Sequence, residues 1–302
     1  MQHVFYIDRK TRKVEQEPIY GQFFIDILYG TGLFSRLFSK ILLLIFTRNG
    51  LFSRVYGYFQ KCFFSRKKIP KFIETYHIDM TEAVVPEGGF KSFNDFFVRR
   101  LTPKSRPIVA GDHKLVLPAD GRYLVFPEIK EEMSFFVKGQ RFSLETLLQD
   151  KELAKEYQEG SAVFARLCPT DYHRFHFPCD CIPGLSKLVQ GKLASVNPIA
   201  LRQYLHILWE NKRMITKLET KHFGDILYIE VGATAVGSIC QTYQEGRQYC
   251  KGEEKGYFEF GGSSVLMLFK NNKVIFDEDL IKASSQRLET KANMGESLGQ
   301  SV

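Results

Sequence analysis

The sequence predicts an α+β protein in which a helical N-terminal segment precedes a predominantly antiparallel β core with a few helices. Of the 302 residues, 44% are hydrophobic and 25% are charged, which is typical of a chain that folds around a buried core. Apolar residues recur at helical spacing between residues 33 and 63. From residue 115 onward, short β-type runs follow one another without regular intervening helices. The composition excludes a disordered, collagen-like or disulfide-scaffold protein.

The N-terminal segment accounts for the basic character of the chain. Residues 27–73 contain no Asp or Glu, whereas the rest of the chain is close to neutral although the net charge is +8. The basic residues of this segment are Arg36, Lys40, Arg48, Arg54, Lys61, Arg66, Lys67, Lys68 and Lys71. Because Phe and Leu fill the apolar faces, we interpret residues 1–75 as basic amphipathic helices on a membrane surface. Packing of these helices on the core and binding of nucleic acid are the alternatives. No apolar stretch approaches the roughly 20 residues that span a bilayer.

Turn residues divide the remainder into short elements. We assign residues 76–284 to a β-rich core and residues 285–302 to a polar, frayed C-terminal tail. The predicted strands are Tyr123 to Phe126, Ala162 to Leu167, Ser186 to Val189, Met214 to Leu218, Ile226 to Val231, Val265 to Phe269 and Val274 to Phe276. The predicted helices are Ser92 to Arg100, with Ser92 as the N-cap, Leu144 to Tyr157 and Ile199 to Leu208. Asn271 and Asn272 predict a hairpin turn between the last two strands.

Two histidines and two cysteines lie close together in the sequence. His173, His176, Cys179 and Cys181 fall within nine residues, so a zinc site can be drawn from them. Structural zinc sites usually combine two short ligand pairs from separated segments, and this crowded spacing does not fit that pattern. We therefore predict no metal site and interpret the cysteines as reduced core or surface residues.

A second group of residues has the chemistry of a hydroxyl-activating triad. Asp120 precedes Gly121 at the start of a β run, His176 lies between two phenylalanines, and Ser263 follows a pair of glycines. The order Asp, His, Ser is one of several that place a base between a hydroxyl and an orienting carboxylate. A turn aspartate, a packed histidine and a turn serine give the same pattern, so the residues alone leave both interpretations open.

Several blocks of the chain form a pattern when they are taken together and in order. They are Phe90 to Phe97 with Arg99, Arg106 and Pro107; Pro118 to Gly121; Asp171 to Pro178; Val231 to Ser238; and Gly256 to Phe258, followed by Gly262 to Ser264. This pattern resembles that of the phosphatidylserine decarboxylases, a family of pyruvoyl-dependent enzymes. The resemblance covers about residues 70–270.

The resemblance implies that the chain is a self-cleaving proenzyme. The Ser263 hydroxyl would attack the carbonyl carbon of Gly262, and the resulting ester would break by β-elimination. Hydrolysis of the dehydroalanine at position 263 would then leave a pyruvoyl group as a covalent cofactor. Cleavage between Gly262 and Ser263 would give a β chain of residues 1–262 and an α chain of residues 263–302.

The resemblance also implies roles for the charged and titratable residues. His176, oriented by Asp120, would be the base that activates Ser263. The pyruvoyl carbonyl would form a Schiff base with the amine of a serine headgroup and accept the electrons that CO₂ leaves behind. His173 would assist this decarboxylation by placing the carboxylate or returning a proton, although a packing role is the alternative. No metal and no diffusible cofactor would be required.

The implied partner is phosphatidylserine in an anionic membrane leaflet, and the implied product is phosphatidylethanolamine. We expect a peripheral protein on the cytoplasmic face of the inner membrane, present after cleavage as a heterodimer of its own α and β chains. A higher oligomer stays open, and nucleic acid is not an expected partner. Two other classes also stay open. A serine hydrolase or acyltransferase would use Asp120, His176 and an intact Ser263, and a non-catalytic lipid-binding protein would need only the basic helices.

Overall fold

The structure is a computed structural model that describes residues 4–17, 57–129, 143–192, 210–232, 239–261 and 263–302. Most of the predicted basic helix pair, the predicted helix at 199–208, the block at 233–238 and Gly262 lie outside these ranges.

The strands are short and numerous. In chain order they are β1 (Phe5–Asp8), β2 (Val14–Gln16), β3 (Ala83–Val84), β4 (Arg100–Leu101), β5 (Lys114–Val116), β6 (Gly121–Phe126), β7 (Ser161–Leu167), β8 (Arg174–His176), β9 (Cys181–Pro183), β10 (Lys187–Val189), β11 (Arg213–Thr220), β12 (Asp225–Gly232), β13 (Ile239–Gln241), β14 (Glu254–Phe258), β15 (Ser263–Phe269), β16 (Val274–Phe276), β17 (Glu289–Ala292) and β18 (Ser297–Ser301).

The helices are fewer. The α-helices are α1 (Ile69–Tyr76), α2 (Phe93–Phe97), α3 (Leu144–Leu148), α4 (Lys151–Glu156) and α5 (Glu278–Ser285), and short 3₁₀ helices span Phe63–Lys68, Met80–Glu82 and Pro103–Ser105. Residues 57–61 are also helical. None of the helices in the described ranges is both long and apolar enough to cross a bilayer.

One ten-stranded sheet organises the fold. Its strand order is β10-β11-β12-β15-β7-β6-β17-β1-β2, with β9 also paired to β11. Every pairing in it is antiparallel except that of β1 with β17. Three smaller antiparallel sheets join β13-β14-β8, β16-β18-β5 and β3-β4. The predicted α+β class with a predominantly antiparallel core is therefore confirmed.

Side chains from the central strands are buried on both faces of the large sheet. Along β6, Leu124 and Phe126 pack into one hydrophobic cluster while Val125 packs into the other. This alternation follows from the two-residue period of a strand. One cluster lies under α3 and α4, and the other includes Phe175 and Tyr228. Burial on both faces explains why β6, β7 and β15 appear in the sequence as nearly continuous apolar runs.

A third, smaller cluster joins the helical region to the core. It consists of Ile69, Phe72, Phe93, Phe96, Phe97 and Phe260. Helix α2 begins after Ser92, whose hydroxyl accepts a hydrogen bond from the Asp95 N–H at 3.1 Å. The predicted N-cap is therefore confirmed. Phe260 brings the chain that leads to Ser263 against this helix.

Two predictions about local structure are wrong. The region from 144 to 157 is not one helix, because Gln149 adopts a left-handed conformation with φ 49° and Asp150 caps a second helix. The turn at Asn271 and Asn272 does not join a hairpin, because β16 pairs with β18 whereas β15 pairs with β12 and β7.

Both predicted terminal boundaries are also wrong in part. Residues 285–302 are not a frayed tail, since they include β17 and β18, and residues 4–17 contribute β1 and β2 to the large sheet. The buried guanidinium of Arg166 on β7 provides a physical reason. It forms ion pairs of 2.6 Å with both Glu17 and Glu289, which ties the two ends of the chain to the core.

Candidate active site

Ser263 is the first residue of β15 and is completely buried, with 0% of its surface exposed. It pairs with Leu167 on β7 and with Gly232 on β12. Its hydroxyl has no hydrogen-bond partner in the described part of the chain. Gly261 has φ 143°, a conformation that side-chain-bearing residues rarely adopt. A conformation suited to glycine therefore lies two residues before a serine whose buried hydroxyl is unpartnered among the described residues.

The ring of His176 is held at both nitrogens. Nδ1 lies 2.9 Å from the Gly252 carbonyl oxygen, which can only accept, so Nδ1 carries the proton. Nε2 is left as the acceptor for the Tyr172 hydroxyl at 3.2 Å. Burial lowers the pKa of His176 below its ordinary value. His176 is therefore a neutral imidazole at pH 7, as a general base must be.

Asp120 lies in the same corner of the molecule. The His176 backbone N–H donates to the Pro118 carbonyl at 2.8 Å, which joins the turn containing Asp120 to β8. The Asp120 carboxylate accepts bonds of 2.8 and 2.6 Å from Arg106 and one of 2.9 Å from the Met294 N–H. Within the described ranges, it makes no hydrogen bond to His176. Its charge nevertheless acts to raise the pKa of His176, against the larger effect of burial.

The sheet register relates Asp120 to the serine. Arg122 on β6 pairs with Arg166 on β7, which pairs with Ser264 on β15. Two strand spacings therefore separate the Arg122 and Ser264 backbones, or roughly 10 Å. Asp120 and Ser263 lie near this row, at the same end of the sheet. The structure gathers the three predicted residues in one region without linking them by direct hydrogen bonds.

His173 is the second buried histidine of this region, with 0% of its surface exposed. Its ring lies on Phe97, with centroids 3.9 Å apart, and its Nδ1 donates to the Asp171 carbonyl at 2.9 Å. Nε2 has no partner among the described residues. Burial lowers the pKa of His173 to about 4. The Phe258 N–H donates to the His173 carbonyl at 2.9 Å, so His173 lies beside the strand that leads toward Ser263.

Sequence reasoning did not assign a role to Asn94. Its side-chain oxygen accepts a hydrogen bond of 2.8 Å from the Phe260 N–H. The Phe260 ring also packs against Phe93 and Phe97, with centroid distances of 5.1 and 4.9 Å. Helix α2 therefore holds the chain three residues before Ser263 through a hydrogen bond and aromatic packing. The sequence feature that could have indicated this role is a polar residue inside the aromatic run of residues 93–97.

Sequence reasoning also left Arg106 and Tyr172 without roles, although they hold Asp120 and His176. Cys179 and Cys181 are buried free thiols. The described residues contain no group of three or more His, Cys, Asp or Glu side chains arranged to hold a metal ion.

The fold and the site together define a class: an antiparallel α+β protein with a buried, unpartnered serine at the start of a central strand. The comparisons with known proteins specify it further. A sequence profile described as phosphatidylserine decarboxylase matches residues 93–300. A phosphatidylserine decarboxylase proenzyme of Chlamydia pneumoniae is 48% identical over 301 residues, which cover 100% of this chain and 98% of that protein.

Two further relatives bear the same name. The proenzyme of Chlamydia muridarum is 48% identical over 303 residues, covering 99% of this chain and 98% of the relative. That of Chlamydia trachomatis serovar L2 is 44% identical over 301 residues, covering 98% and 97%. The chain therefore belongs to the phosphatidylserine decarboxylase family.

Proposed function

We propose that this chain is a proenzyme that converts Ser263 into a pyruvoyl group and then decarboxylates phosphatidylserine to phosphatidylethanolamine and CO₂. Family membership supports the reaction. The observation that supports the chemistry at this residue is the buried Ser263 hydroxyl without a described partner, two residues after Gly261 with its positive φ. The Ser264 hydroxyl is also buried without a described partner, so what distinguishes Ser263 is its position as the first residue of β15, after the glycine pair at 261 and 262.

Cleavage would proceed in balanced steps. The Ser263 hydroxyl loses its proton and its oxygen bonds to the Gly262 carbonyl carbon. The peptide C–N bond breaks, the Ser263 nitrogen takes up a proton, and an ester results. Loss of the Ser263 Cα proton and of the Cβ–O bond then releases the Gly262 carboxylate. Water adds to the remaining dehydroalanine and ammonia leaves. The residues present fit this product, because the Ser263 hydroxyl that the reaction removes makes no hydrogen bond within the described ranges.

His176 is the proposed base for the first step. It is neutral, and its Nε2 has a lone pair that the Tyr172 hydroxyl occupies in the uncleaved chain. The proton would reach Nε2 through this hydroxyl or after the hydroxyl turns away. Asp120 would stabilise the protonated ring through its charge rather than through a direct bond. Arg106 is then a positioning residue that fixes this carboxylate.

His173 is the proposed residue for decarboxylation. The pyruvoyl carbonyl, once formed, supplies an acceptor for the headgroup amine and for the electrons released with CO₂. Because Nδ1 of His173 donates to the Asp171 carbonyl, Nε2 is the nitrogen that would deliver a solvent-derived proton to the carbon that has lost CO₂. A low pKa favours giving up this proton.

The proposed location is peripheral, on the cytoplasmic face of the inner membrane. Tyr58, Phe59, Phe63 and Phe64 are exposed by 56% to 77% within a helical region that also contains exposed basic residues. Exposed aromatic and basic side chains on one short segment suit an interface with anionic lipid. After cleavage, the α and β chains would form a heterodimer.

Gel electrophoresis and intact mass test the function. The parent protein should separate into fragments 1–262 and 263–302, the latter starting with a pyruvoyl group, and should release CO₂ from phosphatidylserine vesicles. Ser263→Ala and His176→Ala should stay uncleaved. His173→Ala should cleave itself but release no CO₂. Ser264→Ala removes a neighbouring buried hydroxyl and serves as the matched control.

Three outcomes would contradict the proposal. Cleavage of Ser263→Ala at the same bond would exclude self-processing by this serine. An intact Ser263 in an active protein would favour a serine hydrolase or acyltransferase. An uncleaved parent that binds lipid without releasing CO₂ would favour a lipid-binding protein.

A further inference from the structure

Arg99 is a buried cation without a carboxylate partner in the described structure. Only 7% of its surface is exposed, and its Nε has no hydrogen-bond acceptor among the described residues. Among the described residues, its guanidinium makes a long hydrogen bond, 3.5 Å from a terminal nitrogen to the Thr170 carbonyl oxygen. Burial lowers the pKa of Arg99, as expected for a charge removed from water with little compensation.

The nearby carboxylates are already engaged by other arginines. Arg106 binds Asp120 through two nitrogens, and Arg122 binds both oxygens of Asp171. Arg99 feels both carboxylates only through space. A buried guanidinium with unused donors is unfavourable unless an anion arrives to receive them.

Arg99 lies beside the proposed reaction site. The Thr170 carbonyl that it contacts is three residues before His173, and the charge of Arg99 contributes to the lowered pKa of His173. Its guanidinium lies 5.0 Å from the Phe96 ring centroid, and the neighbouring Phe97 stacks on His173. The unpartnered Nε of Arg99 and the unpartnered Nε2 of His173 therefore belong to one region of the described structure.

We propose that Arg99 binds the phosphodiester group of the lipid substrate, an inference that rests on the proposed function. The substrate headgroup contains two anions, a carboxylate and a phosphodiester. The carboxylate loses its charge as CO₂ departs, so a cation fixed on it would stabilise the ground state more than the transition state. The phosphodiester keeps its charge throughout, so a cation on it aids binding without opposing the reaction. An arginine fork suits phosphate oxygens.

Three amines separate the contributions of the phosphodiester and the carboxylate to binding. Glycerophosphoethanolamine contains the phosphodiester without the carboxylate, serine contains the carboxylate without phosphate, and ethanolamine contains neither. Each is incubated with the matured protein and cyanoborohydride, and the mass of fragment 263–302 reports the fraction that has bound an amine covalently. The concentration for half-labelling is measured for the parent, Arg99→Gln, Arg99→Lys and the exposed-site control Arg100→Gln.

Arg99→Gln should raise the half-labelling concentration of glycerophosphoethanolamine by at least about tenfold, because a charge-assisted hydrogen bond is lost. Ethanolamine and serine should be unaffected, and Arg100→Gln should match the parent. Arg99→Lys should raise this concentration less, because lysine keeps the charge but lacks the paired donors of a guanidinium. If Arg99→Gln does not mature, the Arg99→Lys measurement tests the proposal.

A loss confined to serine would assign Arg99 to the carboxylate and overturn the proposal. Equal losses for all three amines would make Arg99 a structural residue and also overturn it. A parent that matures and is labelled by no amine would overturn the proposed function itself, which the first two outcomes leave intact.

Discussion

Replacing His173 by Gln should reduce the loss of unfolding free energy that the protein undergoes between pH 7 and pH 5. His173 is completely buried, and its pKa is lowered to about 4 from an ordinary value of about 6.5. Below about pH 6.5, the unfolded chain binds a proton that the folded chain does not bind. The folded state therefore loses stability as the pH falls from about 6.5 toward about 4.

The difference between the two pKa values sets the magnitude. A gap of about 2.5 pH units corresponds to about 3 kcal/mol of unfolding free energy once the pH has fallen below both values. About 2 kcal/mol of this is already lost between pH 7 and pH 5. His176 contributes in the same direction, because burial also lowers its pKa, but it is present in both proteins to be compared.

Urea unfolding at pH 7 and pH 5 provides the assay. The uncleaved Ser263→Ala chain serves as the parent, so that unfolding involves one molecule, and His173→Gln is added to it. The stability lost between the two pH values should be smaller by about 2 kcal/mol in the double variant. Only this difference between the two pH values is compared, because Gln packs differently against Phe97 and therefore also changes the free energy of unfolding at pH 7. Equal losses in the two chains would show that burial does not hold His173 neutral.

Two further predictions concern Asn94 on α2 and the exposed rings of Phe63 and Phe64. Asn94→Leu should slow maturation about tenfold or more, because the Phe260 N–H loses its acceptor, whereas Asn94→Asp keeps an acceptor and should mature near the parent rate. A time course on gels decides this, and equal rates for Leu and parent would exclude the positioning role. Replacing Phe63 and Phe64 by Ser should weaken sedimentation with anionic vesicles, at about 1.5 to 3 kcal/mol for each inserted ring. Leu185→Ser, at another exposed apolar position, should leave sedimentation unchanged; equal weakening would refute a specific lipid-binding surface.

The sequence predicted the inner strands well and the terminal strands not at all. β6, β7 and β15 contain runs of apolar residues because they are buried on both faces, and such runs are visible locally. β17 contains Glu289, Thr290 and Lys291, a sequence typical of an exposed segment. Its burial depends on Arg166, which is distant in the sequence but whose guanidinium forms an ion pair with Glu289 in the fold. A local pattern contains no information about that partner.

The site was predictable as a set of residues but not as a set of contacts. Asp120, His176 and Ser263 were selected from chemistry and resemblance, and the fold places them in one region. The partners of His176 are a backbone carbonyl and the Tyr172 hydroxyl, and a backbone partner leaves no mark on residue type. The arginine that holds Asp120 lies in a motif that the sequence displays, but nothing local shows which carboxylate it meets.

The position of residues 263–302 in the large sheet bears on how the matured protein persists. β15 lies between β12 and β7, and β17 lies between β1 and β6, so this fragment supplies two inner strands. A chain cut before residue 263 would keep these ladders, and the two pieces would remain together. Once unfolded, however, the pieces would have to find each other again, so refolding would depend on concentration. Before cleavage, an unfolded chain could refold by itself. After cleavage, the lifetime of the folded protein would depend mainly on how slowly it unfolds.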